Sequence, residues 1–358
     1  MPWNFPFWQV FRFAAPILMA GNTGLLKHAS NVFRSALNIE EVFVEAGFPR
    51  GAFQTLLIGS KHVESVIKDD RVKGVSLTGS GSAGGAVAAT AGKAIKPSLL
   101  ELGGSDAFIV MPSADLEKAL DTAVKARTQN NGQSCIAAKR FFVHADVYDA
   151  FKSGFEARFK NLKVGDPTED GTHIGPLATA SIRDELVEQV EKSVKAGATV
   201  FHAGNTLPDT GNWFDPCIVI GAPEGSPSAD EEMFGPVANL WKVNDLDEAI
   251  GLLPVKANQE AGRATRGSAQ MLLANLYMVE ENWSAASSLL TDLVNSGQYN
   301  LLGDYASVFD INNKNNAESI FEVQYLEGTE GFASSFMYEW LPMPLTADQV
   351  AQISGVSN

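Results

Sequence analysis

Residues 1–110 alternate short apolar runs with amphipathic or alanine-rich segments, and this alternation constrains the fold most. Val72 to Leu77 predicts a strand, Gly79 to Gly85 a loop, Ala86 to Ala94 a helix and Leu99 to Leu102 a further strand. Strands separated by helices at this spacing favour a mostly parallel sheet covered by helices, so the sequence predicts an α/β fold. Further strands are predicted at 24–27, 53–58, 108–111 and 141–143, and further helices at 38–46, 62–68, 115–125, 146–159 and 182–196.

The glycine-rich loop has two interpretations. Gly79, Gly81 and Gly84 match G-x-G-x-x-G between a strand and a helix, and Glu101 follows further along the chain. In a dinucleotide-binding fold this pattern places a pyrophosphate at the helix N-terminus and the acidic residue on a ribose. A tight turn in a region rich in alanine and glycine produces the same letters, so the pattern alone is weak. We prefer a different role for Glu101, which other motifs indicate.

The composition and periodicity of the sequence change near residue 250. All 5 histidines and both cysteines precede residue 251, whereas most tyrosines follow it. Arg263 to Val279 and Asn282 to Ser296 have the periodicity of two consecutive amphipathic helices, and Gly297 suits the end of the second. This pair predicts a helical hairpin of the tetratricopeptide type. Ile320 to Tyr325 predicts a strand, and the asparagine-rich run before it predicts an irregular loop.

Charge and cysteine content exclude several classes of protein. Lysine and arginine total 27 against 42 aspartate and glutamate, for a net charge of −15. General binders of nucleic acid or anionic membranes need a basic surface, so neither is expected as a partner. Two cysteines in 358 residues form no disulfide framework, which favours a reducing compartment. The apolar N-terminus lacks the basic start of a signal peptide and no run suits a membrane helix, so we expect a cytoplasmic protein.

Five short motifs occur in a fixed order. They are Pro-Trp-Asn-Phe-Pro at 2–6, Thr-Gly-Ser at 78–80, Leu-Glu-Leu-Gly-Gly at 100–104, Gly-Gln-Ser-Cys at 132–135 and Glu-Glu-Met-Phe-Gly-Pro at 231–236. In this order and spacing they resemble the aldehyde dehydrogenase superfamily over about residues 1–250. The resemblance implies an incomplete fold, with a partial Rossmann-like cofactor-binding domain at 1–103 and a partial α/β catalytic domain at 104–250. Family members are homo-oligomers, and we expect that segments before the first motif and the oligomerising strand are missing from this chain.

Oxidation of an aldehyde to an acid needs a nucleophile, an oxyanion site and a base. A cysteine thiolate can form a tetrahedral adduct that expels hydride and leaves a thioester. Cys135 is the candidate because its lead-in, Asn130 to Ser134, is polar loop rather than core, whereas Cys217 lies in an apolar run and is interpreted as structural. By resemblance, the Asn4 amide and the Cys135 backbone N–H stabilise the oxyanion. Glu101 would be the general base that activates water for thioester hydrolysis.

The resemblance also implies a nicotinamide cofactor and no metal ion. Lys27 resembles the lysine that contacts the cofactor ribose, Glu232 resembles the acid that holds the nicotinamide-side ribose, and Phe234 would pack on the nicotinamide. NAD-preferring relatives often carry glutamate three positions after the lysine, where it repels a 2′-phosphate. Ser30 occupies that position instead, so the sequence favours NADP as the cofactor, with NAD as the alternative. The cofactor cleft would be lined by Thr78, Gly79 and Ser80.

The substrate prediction depends on Arg12, eight residues after Asn4. Arg12 and the segment Gln-Ser-Cys-Ile-Ala-Ala-Lys-Arg at 133–140 together resemble the succinate-semialdehyde dehydrogenase branch of the family. There an arginine at the matching position holds the distal carboxylate of the substrate, a use that suits a guanidinium fork. The alternative is that Arg12 is a cation on a helix surface, and the sequence leaves both open.

Residues 253–345 resemble a different family. The segments at 262–270, 296–299 and 318–325, with the helix start at Asn282, are similar to the SusD/RagB outer-membrane glycan-binding lipoproteins, which are built on tetratricopeptide-like helices. Residues 251–358 are therefore expected to be a SusD/RagB-like helical fragment, and glycan binding is an alternative function. A dehydrogenase piece joined to a lipoprotein piece suggests a chimeric reading frame, in which turnover is weak or absent. The leading prediction is nonetheless NAD(P)-dependent oxidation of succinate semialdehyde or a similar aldehyde.

Overall fold

The computed structural model describes residues 1–253, 255–256, 265–308, 313 and 315–320. The chain divides into two compact units, Met1–Gly251 and Leu252–Asn358. Among the described residues, no helix has the length and apolar character needed to cross a membrane.

The first unit begins with two parallel strands covered by helices. β1 (Gly24–Leu26) pairs with β2 (Phe53–Thr55); α1 (Trp8–Met19) precedes β1, and α2 (Phe33–Glu45) connects the two strands. Removing apolar surface from water stabilises such a layer by about 25 cal/mol per Å². Phe43 of α2 packs on Phe53 of β2, with ring centroids 4.9 Å apart. The shared core consists of Val10, Ala14, Leu26, Ala36, Ile39, Phe43 and Phe53.

A second parallel pair carries the glycine-rich turn. α3 (Val63–Lys68) precedes β3 (Val75–Thr78), which pairs with β4 (Ser98–Glu101), and α4 (Gly81–Lys93) connects the two strands. The predicted loop at Gly79 to Gly85 is wrong beyond Ser80, because the helix begins at Gly81 rather than at Ala86. The Ser80 side chain accepts a hydrogen bond from the backbone N–H of Ala83, which caps the helix and outweighs the low helix propensity of the glycines.

Within the continuous stretch 106–243, a five-stranded sheet has the order β5-β6-β9-β8-β7. All neighbours pair in parallel except β7 and β8, which are antiparallel. The strands are β5 (Asp106–Val110), β6 (Ala138–His144), β7 (Thr199–His202), β8 (Cys217–Ile220) and β9 (Val237–Val243). The sequence did not predict β7, β8 or β9. Both faces of β8 and β9 are almost fully buried, so they lack the polar alternation that identifies a half-exposed strand.

Helices cover this sheet. α5 (Leu116–Thr128) and α6 (Ala145–Lys160) pack their buried faces on it through an aromatic cluster in which Phe141 contacts Phe155 at 5.1 Å between ring centroids. Asp115 caps α5 by accepting from the backbone N–H of Lys118. The remaining helices of this unit are α7 (Ala180–Lys195), α8 (Pro227–Asp230) and α9 (Leu246–Gly251). Short 3₁₀ segments lie at Ser30–Val32 and Ser60–His62, whereas Gln129–Gly132 is a tight turn with non-helical backbone at Asn130 and Asn131.

In the second unit the two predicted helices are present as α10 (Arg266–Val279) and α11 (Trp283–Asn295). Thr265 and Ser268 form a capping box at the start of α10, and Asn282 caps α11. A short 3₁₀ segment lies at Tyr305–Val308. The predicted strand, Ile320 to Tyr325, lies outside the described residues after its first position, as does much of the region compared with SusD/RagB proteins.

Candidate active site

The candidate residues lie at two strand edges joined by a short link. β4 ends at Glu101 and β5 begins at Asp106, so residues 102–105 lead from the carboxyl edge of one sheet to the amino edge of the other. Since β5, β6 and β9 are parallel, the segments that precede them meet at one edge of the sheet. These segments carry Gly103, Cys135 and Glu232. The topology therefore gathers residues that are far apart in the chain.

The loop before Cys135 has an unusual backbone. Asn130, Asn131 and Gly132 are consecutive residues in the left-handed region, with φ of 54°, 57° and 70°. Asparagine and glycine tolerate this conformation better than other residues. The Asn131 side chain accepts a hydrogen bond from the Gly175 N–H at 3.0 Å and donates to the Pro176 carbonyl at 3.3 Å. At Gly132, a Cβ would lie 2.3 Å from the Gly235 carbonyl oxygen, so glycine is required there by space as well as by φ.

This loop is more buried than its polarity suggests. Gln133 and Ser134 are only 3% and 2% exposed, which corrects the prediction of a polar loop outside the core. The Gln133 side-chain oxygen accepts a hydrogen bond from the Ala178 N–H at 3.0 Å. This buried oxygen therefore keeps a hydrogen-bond partner. Cys135 itself is half-buried and the next side chain, Ile136, is 75% exposed. The thiol therefore lies where a buried loop reaches the surface.

Asn4, near the start of the sequence, is hydrogen-bonded to this loop. Its side-chain amide nitrogen donates to the Gln133 carbonyl at 3.1 Å, and the Asn130 side chain donates to the Asn4 carbonyl at 2.9 Å. The Gln9 amide nitrogen lies 3.4 Å from the Asn4 side-chain oxygen, which orients the Asn4 amide. The structure thus brings together two of the motifs that the sequence singled out.

His28 supports the Asn4 segment and was missed by sequence reasoning. Its side chain is fully buried, its Nε2 lies 3.0 Å from the Pro6 carbonyl, and its Nδ1 accepts from the Ala29 N–H at 3.0 Å. Burial lowers the pKa of His28 below its ordinary value, and the hydrogen bond to Pro6 opposes the shift. Nδ1 also lies 3.0 Å from the Met1 carbonyl, so both ring nitrogens face a backbone carbonyl.

Two buried cations hold the loop carbonyls, and the sequence did not predict either role. Arg127 donates to the Gly132 and Ala138 carbonyls, while Lys139 donates to the Cys135 carbonyl at 2.9 Å. Burial lowers the pKa of Arg127 to about 9 and also lowers that of Lys139. The only advance signal for Arg127 is its helical spacing from buried Leu120.

Glu232 is the counterion of Lys139. Its Oε1 lies 2.9 Å from Lys139 Nζ, and its Oε2 lies against Gly103, where a Cβ would approach it to 1.8 Å. Two positions along, Phe234 contacts Trp3 edge to face, with ring centroids 5.9 Å apart. The motifs at 2–6, 100–104 and 231–236 therefore all reach the Cys135 loop or its direct neighbours.

Glu101 and Arg12 lie in a more open part of the site. Glu101 is opposite Thr78 in the parallel register of β3 and β4, and its carbonyl accepts from the Gly79 N–H at 3.0 Å. Its carboxylate forms an ion pair with Arg12, and both side chains are about half exposed. The backbone of Glu101 is therefore fixed by the sheet while its carboxylate can turn.

The predicted cofactor residues occupy strand ends. Lys27 directly follows β1, and Thr78, Gly79 and Ser80 span the turn from β3 to α4. Ligands of parallel α/β sheets bind outside the carboxyl ends of the strands, which is where these residues lie. Ser30 is exposed.

Cys217 lies fully buried in β8, and burial raises its pKa well above the ordinary thiol value. A thiol that resists ionisation is a poor nucleophile, in agreement with its predicted structural role. Across the described stretches of both units, no cluster of three or more histidine, cysteine, aspartate or glutamate side chains could hold a metal ion.

Comparison with known proteins decides the family. A sequence model of the aldehyde dehydrogenase family matches residues 1–259. The chain belongs to the aldehyde dehydrogenase family. Two similar proteins are NADP(+) succinate-semialdehyde dehydrogenases from Mycolicibacterium paratuberculosis and Mycobacterium ulcerans. They are 58% and 55% identical over 250 residues, or 70% of this chain and 53% and 55% of their own lengths.

Solved structures of aldehyde dehydrogenases are also similar to this chain. The succinic semialdehyde dehydrogenase from Streptococcus pyogenes, in complex with NADP+, aligns with a TM-score of 0.68 and 38% identity, covering 70% of this chain and 55% of that one. The chain thus spans about half the length of the curated relatives it matches. The α/β fold of the aldehyde dehydrogenases accounts for that 70% of the chain.

Proposed function

We propose that the first unit oxidises a carboxylate-bearing aldehyde, succinate semialdehyde or a close analogue, with NADP as the leading cofactor and NAD as the alternative. Family membership and the names of the similar proteins support the reaction class. The observation that carries the proposal is the 3.1 Å hydrogen bond that ties Asn4 to the residue two before Cys135. It joins a proposed oxyanion donor to the loop of a proposed nucleophile.

The first chemical step would use Cys135 and Asn4. The Cys135 thiolate attacks the aldehyde carbon, and the carbonyl oxygen becomes an oxyanion. The Asn4 amide has two N–H donors, and only one is needed for Gln133, so the second can bind the oxyanion together with the Cys135 backbone N–H. Because Gln9 and Gln133 hold the amide from both sides, little reorganisation is needed when the charge forms.

The residues present fit a nicotinamide dinucleotide. The first N–H groups of α4 lie at an exposed helix start, where a phosphate is favoured, and Ser30 offers no carboxylate that would repel a 2′-phosphate. Lys27 and Glu232 would hold ribose hydroxyls, Phe234 would pack on the nicotinamide, and the cleft would be lined by Thr78, Gly79 and Ser80. When bound, the cofactor accepts the hydride.

Hydrolysis of the resulting Cys135 thioester would use Glu101. The carboxylate takes a proton from water, which attacks the thioester carbon, and the thiolate leaves with the acid released. Its half-exposed position and its single ion pair to Arg12 support a side chain that can turn toward the loop. Arg12 would hold the distal carboxylate of the substrate through a charge-assisted hydrogen bond.

The test is trapping of the covalent intermediate in the full chain. Incubation with succinate semialdehyde and NADP+ should form NADPH, and in Glu101→Gln, which slows hydrolysis, it should also leave an acyl group on Cys135 that mass spectrometry detects. Cys135→Ala should abolish both signals, while Cys217→Ala should keep them because Cys217 is fully buried and burial raises its pKa. Absence of NADPH in the unaltered chain and of any Cys135 adduct in Glu101→Gln would refute the proposal.

For the second unit we propose a tetratricopeptide-like helix pair of the SusD/RagB kind, with glycan binding as its function. The pairing of α10 and α11 across the short link 280–282, with buried Leu273, Ala286 and Leu293 on their facing sides, supports the hairpin. Binding of the full chain to an oligosaccharide array tests the function. Sequencing one DNA molecule across the codons for residues 240–265 tests the chimeric origin, which a continuous frame in independent isolates would refute.

A further inference from the structure

Lys139 lies four residues after Cys135, and its side chain contacts both the nucleophile loop and Glu232. Its side chain is completely buried, and its ammonium group meets three acceptors: the Cys135 carbonyl at 2.9 Å, the Ala137 carbonyl at 3.3 Å and Glu232 Oε1 at 2.9 Å. Two of its three N–H donors bond to the loop carbonyls, and its contact with Glu232 Oε1 is an ion pair. The group therefore has one favourable position, set jointly by the loop and by Glu232.

Glu232 is confined on its other side. Its Oε2 lies where a side chain on Gly103 would have to be, and its backbone carbonyl accepts from the Gln189 amide at 3.3 Å. Only about a quarter of its side chain is exposed, at 25%. A ligand that reaches this exposed part would bind a carboxylate that Lys139 already holds through Oε1.

We propose that Lys139 is a positioning residue that couples Glu232 to the Cys135 loop, so that a change at Glu232 alters the reactivity of the Cys135 thiol. This rests on the proposed function in one respect: the natural ligand at Glu232 would be the cofactor ribose. The coupling itself concerns only residues of this chain. When the carboxylate is lost, the buried ammonium keeps two carbonyl partners and its charge is no longer compensated. The uncompensated positive charge, still held against the loop by the two carbonyls, favours the Cys135 thiolate over the neutral thiol.

The test is a double-mutant cycle read out by alkylation of Cys135 with iodoacetamide, without cofactor. Glu232→Gln should raise the alkylation rate by about threefold or more when Lys139 is present, and by less than about 1.5-fold in the Lys139→Met background. Peptide mapping separates Cys135 from buried Cys217. A purely structural Lys139 would change stability without making the two effects depend on each other.

Further variants serve as a replacement for Lys139→Met and as controls. Lys139→Gln, which keeps a donor for the carbonyls without the charge, replaces Lys139→Met if the latter does not fold, and thermal melting checks both. The pair Lys152→Met and Glu156→Gln, 3.2 Å apart on α6, is the matched control and should leave Cys135 alkylation unchanged. An effect of Glu232→Gln that is equal in both backgrounds, or absent in both, overturns the coupling.

A separate calorimetric titration with NADP+ keeps the two proposals distinguishable. If the unaltered chain binds no NADP+ while the cycle is non-additive, the proposed function fails and the coupling stands. If NADP+ binds but the cycle is additive, the coupling fails and the proposed function stands.

Discussion

Arg12 on α1 and Glu101 at the end of β4 form an ion pair, with Arg12 Nη2 3.5 Å from Glu101 Oε2. The pair joins the residue proposed to hold the substrate carboxylate to the residue proposed to activate water. A substrate carboxylate that binds Arg12 would therefore compete with Glu101 for the same guanidinium. Since both side chains are about half exposed, the pair itself contributes little to stability.

Arg12→Gln should separate substrate binding from stability. Loss of a charge-assisted contact to a carboxylate should raise KM for succinate semialdehyde roughly 10- to 100-fold. It should change KM for butanal, which lacks the carboxylate, far less. Steady-state kinetics with both aldehydes and a denaturation curve measure this, with exposed Arg34→Gln as the control. Equal changes for both aldehydes would mean that Arg12 is a surface cation.

Gly103→Ala should disturb Glu232 directly. The new methyl group would lie 1.8 Å from Glu232 Oε2, so the carboxylate must leave its place beside Lys139. We expect NADP+ affinity to fall by tenfold or more, roughly the effect of losing one charged hydrogen bond. Gly85→Ala on α4, where a Cβ meets nothing within 4 Å, is the control and should retain affinity. Calorimetry on both variants checks the difference, and unchanged affinity in Gly103→Ala would contradict it.

Stability of the first unit should decline on mild acidification because of His28. Its folded pKa lies below its ordinary value, so the unfolded state binds the proton more readily. Stability is therefore greatest above the unfolded pKa of about 6.5 and falls as the pH drops below it toward the lowered folded pKa. Urea midpoints across this window should fall less steeply for His28→Gln, which can still donate to Pro6. Parallel slopes in the two proteins would exclude this origin.

Replacing Ile95 should stabilise the fold. Ile95 has φ of 54° at the end of α4, and its side chain is 93% exposed. Its N–H bonds to the Gly92 carbonyl and that of Lys96 to the Ala91 carbonyl, the helix-ending pattern in which glycine is favoured. Ile95→Gly should raise the free energy of unfolding by about 1 kcal/mol, whereas Ile95→Val should not. Chemical denaturation of both variants measures this, and a destabilised Ile95→Gly would contradict the assignment of strain.

The sequence predicted most local structure of the first unit where a single face is buried or a cap is clear. α2, α5, α6 and α7 follow their apolar periodicity, and β1 to β6 follow apolar runs bounded by turns. It failed for β8 and β9, where burial on both faces removes the alternation, and for the start of α4, where one serine cap decides a glycine-rich segment.

The residues of the candidate site were likewise predicted only in part from the sequence. Family motifs indicated Asn4 and Cys135, and the structure brings their segments together. Arg127 and Lys139 could not be predicted, because lysine and arginine are rarely buried without partners and their partners here are mostly backbone carbonyls. Such carbonyls have no sequence signature. The burial of Gln133 was missed for a similar reason, because its side-chain partner is the backbone N–H of Ala178.

The three left-handed residues before Cys135 also limit how this loop can change over generations. At Asn130 and Asn131 most replacements would add backbone strain of about 1–2 kcal/mol each, and at Gly132 any side chain collides with Gly235. Drift is confined to glycine, asparagine and aspartate at positions 130 and 131, and to glycine at position 132. Ile136, exposed on the other side of Cys135, carries no such restriction. Natural variation near the thiol should therefore accumulate on the side that faces incoming molecules, while the opposite side stays fixed.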